Sequence, residues 1–101
     1  MRTTVSILHH DYPAGLRDHV EERLSGLERF YSKVQTINAR LERTRGSHRV
    51  ELVANCGHGA VLVADVAKDG VGKALDEAID RMACQLRKLH GKIVDRHHGK
   101  G

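Results

Sequence analysis

The chain has 101 residues, with 17 Lys and Arg against 13 Asp and Glu, 40% apolar residues and 3% aromatics. That length excludes two ordinary domains and a large internal active-site cavity, and leaves one modest core that buries about 60–70% of the unfolded surface. A formal charge of +4, before eight histidines add theirs below about pH 6.5, admits a polyanionic partner, although mild basicity also serves solubility alone.

The first segment, Thr3 to Leu8, alternates Val5 and Ile7 with Thr4 and Ser6, the period-two signal of a half-buried strand that Asp11 and Pro13 end. From Pro13 onward Leu16, Val20, Leu24, Leu27 and Tyr31 recur at three- and four-residue steps and predict an amphipathic helix. Gly26 lowers the helical propensity of that stretch by about 1 kcal/mol relative to alanine. Alternation returns over Val34 to Glu42, with Ile37, Ala39 and Leu41 opposite Thr36, Asn38 and Arg40. Arg43 to Ser47 reads as a turn, and Val50, Leu52, Ala54 and Cys56 then alternate with Arg49, Glu51, Val53 and Asn55. Gly57-His58-Gly59 turns tightly into Ala60 to Ala67, which makes these strands an antiparallel meander. After Lys68-Asp69-Gly70 the longest periodic stretch carries Val71, Leu75, Ala78, Ile79, Met82, Leu86, Leu89 and Ile93 in one helical stripe.

The order βαβββα predicts an α+β fold: a two-layer domain over residues 1–95 with a four-stranded mixed sheet, two helices on one face, and a short basic tail over 96–101. The opposite sheet face carries Arg40, Arg49, Glu51 and Asn55. On the last helix, at about 100° per residue, Arg81, Lys88 and Lys92 fall within roughly 40° of one another and about 120° from the apolar stripe. Acids occupy the first half of that helix as Asp76, Glu77 and Asp80, and Arg87, Lys88, Lys92 and Arg96 the second. Two readings fit the gradient, a polyanion contact and simple complementarity to the helix dipole. Arg40, Arg43, Arg45 and Arg49 form a second basic group at the hairpin; it suits phosphate, and it equally suits a charged guard on an edge hairpin. If both groups face one way, attraction to an RNA backbone explains them together. Tyr31 lies on the helical stripe and Phe30 near its edge, so stacking of bases on an aromatic platform is not expected.

Other chemistry finds little support. The histidine pairs His9-His10 and His97-His98 and the single turn pair Cys56-Gly57-His58 lack zinc-ligand spacing, so no metal or other cofactor is expected. Gly70-Val71-Gly72-Lys73 has only a glycine pair before a helix and not the rest of a nucleotide fingerprint. Cys56 and Cys84 sit in patterned elements and are expected free and partly buried, with neither a disulfide nor a nucleophile pair. An enzyme, and a small-molecule substrate, are therefore not expected. With no apolar run of the roughly 18 residues that a membrane helix needs, and no signal-like N-terminus, the expectation is a cytoplasmic protein without a membrane partner.

The chain resembles the short form of the ribosome hibernation promoting factors, also called ribosome-associated inhibitors, over roughly residues 3–93. The resemblance rests on a first strand ending at His9-His10 and the helix start Pro13-Ala14-Gly15-Leu16-Arg17-Asp18-His19-Val20. It continues through Arg23-Leu24-x-x-Leu27-Glu28-Arg29-Phe30, Ala60-Val61-Leu62-Val63-Ala64, Ala74-Leu75-Asp76, Asp80-Arg81-Met82 and Gln85-Leu86-x-Lys88. It implies a non-catalytic protein that binds the small ribosomal subunit, with its 16S-type rRNA, in the channel used by mRNA and tRNA, and so keeps idle ribosomes inactive. The positions matching the family's RNA-contacting pattern are Arg81, Lys88 and Lys92, with Arg17 matching a recurrent basic position on the first helix; Arg87, Arg40, Arg45 and Arg49 complete the candidate set. The alternative is a regulatory module of the same fold that binds an acidic protein.

Departures from the family pattern fall near the same surface. Gly70-Val71-Gly72 stands where Asp-x-Tyr is common, Cys84 where arginine is frequent and His90 where lysine is frequent. This thins the basic row. The sequence also lacks the C-terminal domain by which long-form members pair ribosomes, so dimerisation of ribosomes is expected to need a separate factor.

Overall fold

Alternation of apolar and polar side chains gives the sheet one face to bury, and two helices of complementary periodicity bury it. A computed structural model describes residues 1–8 and 12–98, with side chains through residue 93. The strand end at His9-His10, the Asp11 stop and the Arg96 side chain lie outside the described residues. In chain order the elements are β1 (Arg2–Ile7), α1 (Leu16–Ser25), a 3-10 helix (Gly26–Arg29), β2 (Thr36–Thr44), β3 (Ser47–Asn55), β4 (Val61–Lys68) and α2 (Val71–His98). The expected tail thus begins within the α2 span.

The strands are ordered β1-β2-β3-β4. β1 runs parallel to β2, with Val5 opposite Ala39, and the other two pairings are antiparallel, with Ala39 opposite Leu52 and Leu52 opposite Ala64. Ile37, Ala39, Leu41, Val50, Leu52, Ala54, Ala64 and Val66 are all buried on one face. α2 lies over β3 and β4, while α1 covers β1. Small side chains at the contact, Ala39, Ala54 and Ala64 below and Ala74, Ala78 and Ala83 above, leave room for Leu75, Met82 and Leu86 to fill the space between the layers. Among the described residues the core holds no buried polar or charged side chain.

The helical expectation over Pro13 to Tyr31 needs a correction. α1 stops at Ser25 and the chain tightens into the 3-10 helix from Gly26, where the missing side chain removes much of the preference for a regular α-turn. Leu27 and Tyr31 still reach the core. The hairpin between β2 and β3 is also tighter than the five-residue turn expected, because Arg45 and Gly46 both adopt positive φ, 45° and 77°, the backbone of a two-residue hairpin whose twist matches its strands. Ile93, placed on the apolar stripe, is 41% exposed, since the helix there has run past the buried cluster.

Both open edges of the sheet carry a side chain from a helix. Register places the outward-facing carbonyls of β1 on Thr3, Val5 and Ile7, and Arg17 of α1 donates from Nη1 to the Val5 carbonyl. On β4 the Gln85 amide of α2 donates from Nε2 to the Val63 carbonyl at 2.8 Å. An occupied carbonyl at the centre of each edge strand removes a pairing group that another strand would need.

Leu52 lies at the centre of this packing and is fully buried. Truncation by Leu52→Ala is expected to lower unfolding free energy by about 2–5 kcal/mol, read as a reduced denaturation midpoint at unchanged slope.

Candidate nucleic-acid interface

The two-layer arrangement decides where each cation points. Arg81, Arg87, Lys88 and Lys92 are all exposed on α2, whereas Arg40 and Arg49 project from the uncovered sheet face on the other side of the molecule. Arg40 and Arg49 of the hairpin group therefore face away from the α2 cations, whereas Arg43 has the opposite strand parity and Arg45 lies in the turn. Strand parity is the reason: Arg40 and Arg49 share the face of Glu51 and Asp65, opposite to the face that packs under α2.

The hairpin arginines also differ in their commitments. Arg49 holds Asp65 with two parallel donors, Nε to Oδ1 at 2.8 Å and Nη2 to Oδ2 at 2.5 Å, and reaches Glu42 at 3.1 Å and Glu51 at 3.8 Å. Its hydrogen bonds hold the Asp65 carboxyl below the usual carboxylate range. With Arg2, Arg40 and Arg49 set against Glu42, Glu51 and Asp65, the charges of this face balance. Arg49 thus forms a cross-strand tie and Arg17 a clamp on the β1 edge, while both side chains stay exposed to solvent. Arg40, Arg43 and Arg45 have no carboxylate partner among the described residues.

Along α2, acidic and basic residues sort by position. Glu77 lies between Arg81, at 2.8 Å, and Lys68 of β4, at 3.2 Å, while Asp76 accepts from Arg23 of α1 at 2.7 Å. These pairs lie at the surface, so each contributes little to stability, but they engage Asp76 and Glu77, two of the three acids in the first half of the helix. Asp69 pairs with Lys73 at 3.4 Å near the helix start. Arg87, Lys88 and Lys92 in the second half carry no carboxylate partner among the described residues. Lys88 and Lys92 flank a shallow groove with Leu62, Gln85 and Leu89, on the β4 side of the helix.

Sequence periodicity did not disclose one cluster, because it depends on how the 3-10 helix seats against α2. Phe30 is half-buried beside Arg29 and Arg87, whose guanidinium carbons stand 4.7 Å and 5.1 Å from the ring centroid. Next along α2, His90 tilts against Tyr31 with ring centroids 6.0 Å apart. The adjacent Arg29-Phe30 pair is the only local hint of this arrangement in the sequence; its partner Arg87 is supplied by tertiary packing.

The cysteines are both free, but they differ in environment. Cys56 is buried, and desolvation pushes its thiol up from the ordinary value, whereas Cys84 is exposed on the outer face of α2 instead of partly buried as expected. Its helical position, midway between Arg81 and Arg87, turns it away from the sheet. Among the described residues, no group of three or more His, Cys, Asp or Glu side chains has an arrangement that could hold a metal ion, and no helix is long and apolar enough to cross a membrane. Alkylation under native conditions is expected to modify Cys84 alone, with Cys56 reacting only after denaturant is added; peptide mass spectrometry reads both sites.

Comparisons with known proteins agree with this architecture. A ribosome hibernation promoting factor of Azotobacter vinelandii is 27% identical over 100 residues, which is 99% of this chain and 92% of that protein. The fold matches a ribosomal subunit interface protein from Coxiella burnetii with a TM-score of 0.79 at 18% identity, covering 90% of this chain and 99% of that one. It also matches the N-terminal domain of Protein Y from Thermus thermophilus, with a TM-score of 0.75 at 21% identity over 88% and 99% of the two chains. At such identities the structural matches establish the fold, and the family described as Sigma 54 modulation protein / S30EA ribosomal protein matches residues 3–94. With nearly the whole chain matched, from β1 through most of α2, this protein belongs to that family.

Proposed function

We propose that this protein is a ribosome hibernation factor: a non-catalytic, cytoplasmic domain that occupies the mRNA and tRNA channel of the small subunit and excludes translation substrates. The observation that carries the reading is the second half of α2, where Arg87, Lys88 and Lys92 stand exposed with no carboxylate partner among the described residues. Arg81 extends the row toward the helix N-terminus and exchanges Glu77 for a phosphate when RNA approaches. The resemblance of the sequence to hibernation factors, and the names of its relatives, supply the ribosomal context.

In this reading the α2 row is the principal contact, with Arg40 and Arg45 of the hairpin as further candidate phosphate contacts. Steric occupation needs no reaction; it needs a rigid body, and the tightly packed two-layer core supplies one. The acidic-protein alternative is less well supported, because the open sheet face balances its charges and offers no net positive surface. Pairing of ribosomes, where it occurs, would fall to a separate factor.

The phosphate contacts predict a steep salt dependence. Four contacts from Arg81, Arg87, Lys88 and Lys92 correspond to a slope of about −3 in log affinity against log salt, by counterion release from single-stranded RNA. Co-sedimentation of the protein with small subunits across a salt series should show saturable binding with that slope. The triple variant Arg81→Glu, Lys88→Glu, Lys92→Glu should lose binding at every salt concentration; equal binding by variant and parent would remove α2 as the contact surface, and no binding by the parent at low salt would reject the function.

A further inference from the structure

We propose that the cleft between the 3-10 helix and α2 receives a single unstacked nucleotide of the bound RNA, its base packed against the Phe30 arginine cluster and its phosphate held by Arg29 and Arg87. This rests on the ribosomal RNA reading above and adds a base-holding subsite to a surface otherwise described by phosphate contacts.

Three features of the cleft favour such an occupant. Its volume, 380 Å³, lies at the small end of ligand-holding clefts, roughly 300–1,000 Å³, and so suits one base and not a helix about 10 Å across. Its floor is apolar, formed by Leu27, Ile79 and Ala83, which gives a flat base a surface to desolvate against. Its mouth holds two guanidinium groups from different elements, gathered over one ring, and neither has a carboxylate partner among the described residues. Two guanidinium groups beside one ring make the cleft attractive to an anion, and the forked donors of each suit a phosphate.

Stacking follows from the same geometry. A guanidinium lying over an aromatic ring has a second face, and bases stack on arginine planes as they do on aromatic rings. The scarcity of bare aromatic surface therefore does not prevent this protein from holding a base: Phe30 positions the arginines, and the arginines meet the nucleotide. Glu22 and Asp80 also line the cleft, and each supplies a carboxylate that accepts from base N–H groups. The expected occupant is accordingly a base with exocyclic or ring N–H donors at its pairing edge.

Ultraviolet cross-linking of the full-length protein bound to small ribosomal subunits, followed by nuclease digestion and peptide mass spectrometry, tests the assignment. The expected result is a mononucleotide adduct on the peptide containing Phe30. In parallel, Phe30→Leu keeps the charge and most of the buried volume but removes the ring, and should weaken subunit affinity about fivefold to a hundredfold, the range of one base stack. A thermal unfolding midpoint for Phe30→Leu within a few degrees of the parent's would show that the affinity change is not loss of folding. Adducts confined to Lys88 and Lys92 with none on Arg29, Phe30 or Arg87, an adduct joining Phe30 to a ribosomal protein, or Phe30→Leu binding within about twofold of the parent would each overturn the nucleotide subsite. Those results leave the hibernation reading standing. Failure of the parent protein to bind subunits at all would overturn both.

Discussion

The burial of one sheet face beneath the two helices is the constraint on which the rest of this molecule depends. Because side chains alternate across a strand, burying Ile37, Ala39, Leu41, Val50, Leu52 and Ala54 commits Arg40, Glu42, Arg49 and Glu51 to the other side. The same burial fixes the rotation of α2. With Leu75, Met82 and Leu86 directed into the core, Arg81, Cys84, Lys88 and Lys92 have only the outer half of the helix available. Positions of charge on this protein are thus consequences of packing, and a one-residue slip in any strand would exchange its charged and apolar faces.

Within that frame the cations divide into two groups. Arg17, Arg23 and Arg49 are engaged with the Val5 carbonyl, Asp76 and Asp65, and they tie helix to strand, helix to helix and strand to strand. Among the described residues Arg40, Arg43 and Arg45 at the hairpin have no carboxylate partner, and neither do Arg29, Arg87, Lys88 and Lys92, which lie on or beside the C-terminal half of α2. A domain optimised only for its own stability would have little reason to concentrate unpaired positive charge there, since the dipole benefit of each is only about 0.3–1 kcal/mol. Association with a polyanion gives that concentration a use.

Much of this was legible in the sequence where periodicity carried it. Strand alternation and the helical stripe from Leu75 to Leu86 specified the two-layer fold and the open sheet face, and helical geometry placed Arg81, Lys88 and Lys92 on one row. What periodicity does not encode is who meets whom across elements. The roles of Arg17 and Arg49 depended on a carbonyl and a carboxylate brought close only by sheet register. The Phe30 cluster required the break at Gly26 and the seating of the 3-10 helix against α2. The exposure of Ile93 and Cys84 likewise followed from how far α2 extends and how it is rotated over the sheet, which local patterns leave open.

Cys84 offers the most direct probe of where α2 sits. It is exposed among the basic residues of the outer face, while the other cysteine, Cys56, is buried. An iron chelate tethered at Cys84 generates hydroxyl radicals that cleave nearby RNA, so the cleavage pattern in small-subunit rRNA maps the surroundings of α2 in the bound state. The account predicts strong cleavage at nucleotides lining the mRNA and tRNA path, suppressed when that path is already filled by mRNA and tRNA. Bound protein that leaves those nucleotides intact and cleaves only the outer surface of the subunit would contradict it.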